Sequence, residues 1–327
     1  MPGEGFFDTL KAHTRAGVRF AFSVYPFCYK NASTSGIFID DAIIIRIERL
    51  IHNNIHNILL TGGEPTLHPH YLRYISLFSE YADVHMITNG SILYEHDAQE
   101  LAKLKLIQFS IYGCDNAEYL KMTGMNDGFT RLVKSIEFVH SNSIHSILSL
   151  TICEETIDRI ESFVQTAIGL NMSYLRIGIA DRFGRGKYLY GNHNDFDRKK
   201  DSILHLILEL KRKYRNRITI EISNIEKDHV SDHYDIYNNI HRGSLKCGCG
   251  SEYLVISHEG KLRPCQQLPE RWFSIKSNTA LEEHISGNFH IDQLYQNAHE
   301  YCVQEQKSGY DLPPCFALED LMFKQNI

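Results

Sequence analysis

Apolar and polar positions follow two rhythms that alternate along the first half of the chain. Short apolar or alternating runs read as strands: Val18–Val24 (VRFAFSV), Ile55–Leu60, Asp83–Thr88 (DVHMIT), Leu106–Ile111 (LIQFSI), Ser146–Ile152 and Tyr174–Ile179 (YLRIGI). Between them, Asp40–Asn53, His70–Tyr81, Tyr94–Leu104, Gly128–Asn142 and Glu155–Leu170 place apolar residues at helical spacing, with Asp40 positioned to cap the first helix. Strands that alternate with helices through mostly short links predict a parallel sheet with right-handed crossovers. Six strands are too few for a closed eight-stranded barrel. The expected fold class is therefore α/β, a partial (β/α)6 barrel, with ligands at the C-terminal strand ends.

The rhythm breaks at Ala180–Asp197, which is glycine-rich and polar. A long amphipathic helix (Arg198–Tyr214) and a strand (Ile218–Ile222) follow, then a polar stretch, Asn224–Ser244. Tyr253–Ile256 and Lys261–Arg263 read as a small hairpin turning at His258-Glu259-Gly260. The expected organisation is an N-terminal segment (1–17), the barrel (18–197), a connecting helix and strand (198–244) and a small cysteine-rich domain (245–327).

Composition narrows the function classes. The 327 residues, 43% hydrophobic and 23% charged, suit a globular barrel with a smaller unit attached. A net charge of -6 supplies no basic excess for phosphate contacts, so no nucleic-acid partner is expected. The opening MPGEGFFDTLKAHTRAG has no apolar signal core, and no run reaches a membrane span. The expectation is a cytoplasmic protein without membrane association. Among eight cysteines, Cys28, Cys114 and Cys153 are scattered, whereas Cys247, Cys249, Cys265, Cys302 and Cys315 crowd the last quarter. Such a late cluster in a reducing compartment reads as a metal or iron–sulfur site, and Cys114 and Cys153 as core residues. His52 and His56 are four apart, but no acid follows His52 as a zinc protease requires, so the histidines read as surface or packing residues.

The most informative stretch is LLTGGEPTLHPHYLRYI, Leu59 to Ile75. A strand runs into Gly62 and Gly63, whose lack of side chains permits a sharp turn and close ligand approach. Glu64 follows, and Pro65 fixes the chain before a helix. HMITNG puts Asn89 and Gly90 at the end of the third predicted strand, QFSIYG puts Ser110 and Tyr112 at the end of the fourth, and YLRIGIADRFGRGK puts Arg176 on the sixth. Together with EYLKMTG and DGFTRLVKSIEFV, these motifs resemble the radical S-adenosylmethionine (radical SAM) superfamily from about Val18 to Lys187. The resemblance implies a cofactor pocket in which Gly62, Gly63 and Glu64 receive the cofactor's amine. The ligand's chemistry asks for a carboxylate for the amine, a cation for the carboxylate and polar groups for the ribose. Glu64, Arg176, Ser110 and Asn89 supply that set. Ser110 and Asn89 also suit plain turn formation, Arg176 a structural ion pair, and Arg182 or Arg185 could take its place.

One departure decides the expected chemistry. Active members of that family carry Cys-x-x-x-Cys-x-x-Cys after the first strand, where three thiolates hold a [4Fe–4S] cluster whose open iron chelates the cofactor. Here the loop reads AFSVYPFCYKNASTSG, and with Cys28 in the first position Ala32 and Ser35 stand in the others. One thiolate cannot hold the cluster, so a natural degenerate member is favoured over deliberate replacement. Downstream, Cys249, Gly260 and Cys265 resemble the opening of the family's SPASM/twitch extension, with Cys315 as a later ligand and Cys247 or Cys302 completing the set. This implies one auxiliary [4Fe–4S] cluster; a four-thiolate zinc site is the chemical alternative.

These readings give an accessory protein or pseudoenzyme that binds a peptide or small metabolite, assists an active paralogous enzyme and holds S-adenosylmethionine or a related nucleoside weakly. The alternative is an active maturase or small-molecule tailoring enzyme with unusual cluster ligation. A zinc-stabilised β/α hydrolase or isomerase ranks last, since no nucleophile constellation is visible.

Overall fold

The structure, a computed structural model, describes residues 6–12, 39–51, 55–153, 155–179, 193–223, 253–257 and 262–263. In chain order its elements are β1 (Phe6–Ala12), α1 (Asp41–Ile51), β2 (Ile55–Gly62), α2 (Tyr71–Ser79), β3 (Asp83–Thr88), α3 (Ala98–Leu101), β4 (Leu106–Ile111), α4 (Asn116–Thr123), α5 (Gly128–Ser141), β5 (Ser146–Ile152), α6 (Ile160–Gly169), β6 (Tyr174–Ile179), α7 (His193–Lys213), β7 (Thr219–Ser223), β8 (Tyr253–Ile256) and β9 (Leu262–Arg263). The strands form one sheet in the order β7-β6-β5-β4-β3-β2-β1-β8-β9. Every neighbouring pair is parallel except β8 and β9. The open parallel β/α sheet expected from the rhythm is what the chain forms.

Period two separates the two faces of this sheet. Ile58 and Leu60 of β2, Val84 and Met86 of β3, Ile107 and Phe109 of β4, Leu148 and Leu150 of β5, Leu175 and Ile177 of β6, and Ile220 and Ile222 of β7 share one buried cluster with helix residues such as Ile44, Phe78, Leu132, Phe163 and Ile207. Phe78, Phe109 and Phe163 are fully buried there. Each such side chain contributes about 1.5–3 kcal/mol of transfer free energy. The alternate residues are largely polar: Asn57 and Thr61, His85, Gln108 and Ser110, Ser149, Arg176, Glu221. A parallel sheet buried by helices on both faces would be apolar on both. This one is apolar only beneath its helices and keeps a polar face opposite.

Several boundaries differ from the sequence reading. The place beside β2 expected for Val18–Val24 is taken by Phe6–Ala12, which lies in the segment assigned to no element. Val18–Val24 itself lies outside the described residues. The expected helix Tyr94–Leu104 is a 3-10 turn, Leu93–Glu95, followed by the short α3. The break falls at Asp97, whose carboxylate accepts from the amides of Gln99 and Glu100 and starts a new helix. The expected helix Glu155–Leu170 likewise divides into a 3-10 turn, Ile157–Arg159, and α6. Helix α4 is additional as an element. Asp115 caps it by accepting from Glu118 N, Glu118 accepts back from Cys114 N, and Gly124 ends it in the left-handed region at φ 77°. β7 adds a parallel strand, and β8 of the expected hairpin continues the main sheet past β1.

Candidate active site

Gly62 closes β2, Gly63 makes the bend, and Glu64 caps the 3-10 turn Pro65–Leu67 from an extended conformation. The sequence suggests that Glu64 offers its carboxylate outward. Instead the side chain is 1% exposed and ties two strand ends together. Its Oε1 accepts from Thr66 N (3.1 Å), Thr66 Oγ1 (2.6 Å) and Thr88 Oγ1 (2.6 Å). Its Oε2 accepts from Asn89 N at 2.8 Å. A carboxylate has about four acceptor positions, two on each oxygen. Oε1 is therefore fully used, and Oε2 retains capacity for one further donor. All four of these donors are uncharged. Burial pushes the Glu64 carboxyl above its usual value, and the hydrogen bonds from Asn89, Thr66 and Thr88 pull the other way.

Asn89 is mainly a turn residue. Its backbone serves Glu64, and its side-chain Oδ1 accepts from Ser91 N at 2.8 Å. Gly90, next to it, has φ 71°. A Cβ there would lie 2.9 Å from side-chain atoms of Phe109 and Leu132, so glycine is required twice over. Ser110, one residue from the end of β4, is half-buried on the polar face and aligns with Ser149 of β5.

Arg176 is on β6 as expected but is already engaged. Its guanidinium donates to Glu221 Oε1 at 3.1 Å and to Gln108 Oε1 at 3.4 Å. Tyr174 donates its hydroxyl to the other Glu221 oxygen. β5 separates β4 from β6, so this network spans the polar face from β4 to β7. The sequence reading missed Gln108 and Glu221. The signal was present in TIEIS, where a glutamate between two isoleucines must face away from the apolar cluster.

Cys114 is half-buried and Cys153 is buried, as core residues should be, and burial pushes the Cys153 thiol up to about 12. Cys28, Ala32, Ser35, Arg182, Arg185, Cys247, Cys249, Cys265, Cys302 and Cys315 lie outside the described residues. Among the described residues, no helix is long and apolar enough to cross a membrane.

Comparisons with known proteins bear on the same part of the chain. Residues 26–167 match the Radical SAM superfamily model. The antilisterial bacteriocin subtilosin biosynthesis protein AlbA of Bacillus subtilis is 22% identical over 231 residues, 69% of this chain and 47% of its own length. A probable GTP 3',8-cyclase of Saccharolobus islandicus is 23% identical over 234 residues, 68% of this chain and 71% of its own length. The chain thus spans about half of AlbA. Among solved structures, Streptococcus suis SuiB bound to precursor peptide SuiA superposes with TM-score 0.65 at 14% identity, over 90% of this chain and 66% of that one. The anSMEcpe structure with bound AdoMet gives TM-score 0.65 at 15% identity, over 90% and 82%. At such identities the likeness concerns the fold, and the family model matches residues 26–167 alone. In the glycine turn, the parallel sheet and the matched segment, residues 26–167 are thus similar to the radical SAM superfamily.

Proposed function

We propose that the chain binds S-adenosylmethionine, or a related amino-acid-bearing nucleoside, at the C-terminal ends of β2 to β4 without cleaving it to a radical. In this reading it is an accessory or non-radical protein acting on a peptide or small metabolite beside an active paralogue. The observation that carries the reading is the donor set between β1 and α1. The core cluster needs three thiolates, and Cys28 is the only cysteine before Cys114, with Ala32 and Ser35 in the other two places. The residues present do not fit that cluster, and no step is drawn through it.

The residues fit the organic ligand better. Oε2 of Glu64 has room for one ammonium donor, and its charge meets only neutral partners within the fold. Ser110 suits a ribose hydroxyl, and Asn89 follows Thr88 as Ser110 follows its register partner Phe109, so the two residues stand at the same strand level. Arg176 is held by Glu221, so the ligand carboxylate falls to Arg182 or Arg185. Without iron chelation, one charge-assisted contact of about 1.5–3 kcal/mol and a few neutral ones give binding of about micromolar to millimolar. Four of Cys247, Cys249, Cys265, Cys302 and Cys315 fit one auxiliary [4Fe–4S] cluster, with zinc as the alternative occupant.

A peptide partner is supported by the solved neighbours, since SuiB is bound to a precursor peptide and anSMEcpe to the Cp18Cys peptide. The biosynthesis protein and the cyclase among the relatives favour a second reading, an active maturase or tailoring enzyme with unusual cluster ligands. Anaerobic incubation with dithionite and S-adenosylmethionine separates the two. The first reading expects no 5′-deoxyadenosine above a no-protein control and about four irons per chain; product with about eight irons establishes the second.

A further inference from the structure

His68 stands four residues past Glu64 and is 2% exposed. Both ring nitrogens are engaged. Nδ1 accepts from His70 N at 3.0 Å, which places the ring proton on Nε2, and Nε2 faces the carbonyl oxygen of Ile39 at 3.3 Å. Ile39 is itself buried, and Asp40 follows as the cap of α1, accepting from Ala42 N at 2.8 Å. The next residue, Asp41, receives the Tyr74 hydroxyl at 2.5 Å, faces His70 Nδ1 at 3.2 Å and Arg73 at 3.5 Å. Ile39 and Asp41 are thus both held by residues 68–74. These are the segment leaving the glycine turn and the first turn of α2.

The contacts differ in weight. The Arg73 and His70 side chains are at least half exposed, so their pairs with Asp41 contribute about 0–1 kcal/mol each. The His68 contacts are buried, and a buried donor or acceptor left unmade costs about 1–3 kcal/mol. The join therefore depends on His68 and on the charge-assisted bond from Tyr74 to Asp41. A buried neutral ring offering one acceptor and one donor at separate vertices meets its need. Lysine and arginine only donate, asparagine copies the Nδ1 vertex, and glutamine copies the Nε2 vertex.

We propose that His68 is a positioning residue of the nucleoside site: by holding Ile39 it sets the start of α1 against the Gly62-Gly63-Glu64 turn. The effect on ligand rests on the function proposed above; the join itself does not. Protonation of His68 at Nδ1 would set it against the His70 amide, so the join opens on acidification. Among the described residues, the charged and titratable groups facing it are His70, Asp41 and Tyr74, whose ring centroid lies 4.9 Å from that of His68, with Arg73 beyond Asp41. Burial keeps His68 neutral by lowering its pKa, the nearby His70 adds to this, and Asp41 opposes it.

The test uses the full chain and three measurements. Long-range proton–nitrogen correlation spectra of the His68 ring are expected to show the proton on Nε2; a proton on Nδ1 overturns the proposal. Amide exchange in the peptide covering residues 39–51 is expected to be about fivefold faster in His68→Asn, the worth of one buried hydrogen bond, and close to wild type in His68→Gln. Equal exchange in all three proteins, or equal acceleration in both variants, overturns it as well. Titration with S-adenosylmethionine then separates the two ideas. Weaker binding by His68→Asn, restored by His68→Gln, supports the positioning role; wild-type binding unchanged in His68→Asn refutes it. No binding by wild type defeats the proposed function, and the exchange experiment still decides the join.

Discussion

Two buried carboxylates mark the two ends of the polar strand ends, and they are handled in opposite ways. Glu221 on β7 meets a guanidinium, a phenol and, through Arg176, the Gln108 carboxamide. Glu64 after β2 meets two backbone amides and two threonine hydroxyls. The first is neutralised within the fold. The second meets only uncharged donors among the described residues. A buried anion held by neutral dipoles is costly in the free protein and becomes favourable when a cation arrives. The comparison teaches that buried acidity alone does not mark a ligand site; what its partners leave uncompensated does.

The largest effect is expected at the neutralised end. Arg176→Met removes the guanidinium that stands 3.1 Å from buried Glu221, and should cost about 3–5 kcal/mol in urea unfolding. Adding Glu221→Met should recover most of that loss. If the double variant is no more stable than the single, the ion pair is not what the β6–β7 edge depends on. Neither variant should change affinity for S-adenosylmethionine by more than the loss of folded protein explains.

Glu64→Gln attacks the uncompensated end. A carboxamide still accepts through its oxygen but sets an NH₂ against donors, so about 1–3 kcal/mol of stability should go. Affinity for S-adenosylmethionine should fall about tenfold to a hundredfold, the worth of one charge-assisted contact. Isothermal titration showing equal affinities in the two proteins would reduce the GGEP turn to a structural feature of the sheet.

The pH dependence sharpens the same contrast. Burial raises the Glu64 carboxyl, so the free protein holds its proton to higher pH than the unfolded chain does. Its contribution to stability is thus greatest below the ordinary value of 4.5 and declines as pH rises through the raised folded value. An ammonium ligand binds the ionised form. Affinity should therefore climb with pH across that titration and level off before the ligand's α-amine, about 7.7–8.0, loses its own proton. Glu64→Gln should flatten the climb. The buried histidines carry the opposite sign. Burial lowers His68, His85 and His96, so their contribution is full above 6.5 and is lost as pH falls through the folded values.

The smallest effect belongs to Ser110→Ala. Loss of one neutral hydrogen bond should weaken nucleoside binding by about 0.5–1.5 kcal/mol with unchanged thermal midpoint. An unchanged Kd removes Ser110 from the site.

Much of the sheet was legible in the sequence because local pattern and tertiary demand coincide there. The strands that became β2 to β6 each present apolar residues at alternate positions to the helices, and Gly90 marks a turn that only glycine tolerates well. β1 was not legible. FFDTLKA has no clear alternation, and it becomes a strand because β2 and β8 flank it on both sides. Pairing of that kind is set by residues far away in the chain, which no window contains. At the site, residue types were legible and allegiances were not. That Glu64 turns inward to Thr66 and Thr88, and that Arg176 belongs to Glu221, depend on register between strands. DNAE at 115–118 was a readable capping signal that periodicity alone overlooked.

The position of β1 also sets an order of events. β2 to β7 follow one another across the sheet in chain order, so each can join its predecessor as soon as it is made. β1 is first in sequence, yet its second neighbour, Tyr253–Ile256, lies more than two hundred residues later. At ribosomal speeds of about 5–20 residues per second, that neighbour emerges roughly 10–50 s after β1. Until then one flank of β1 carries unpaired amides and carbonyls, an invitation to any extended chain nearby. Among the described strands, β1 is therefore an open edge throughout that interval, and β8 is what closes it.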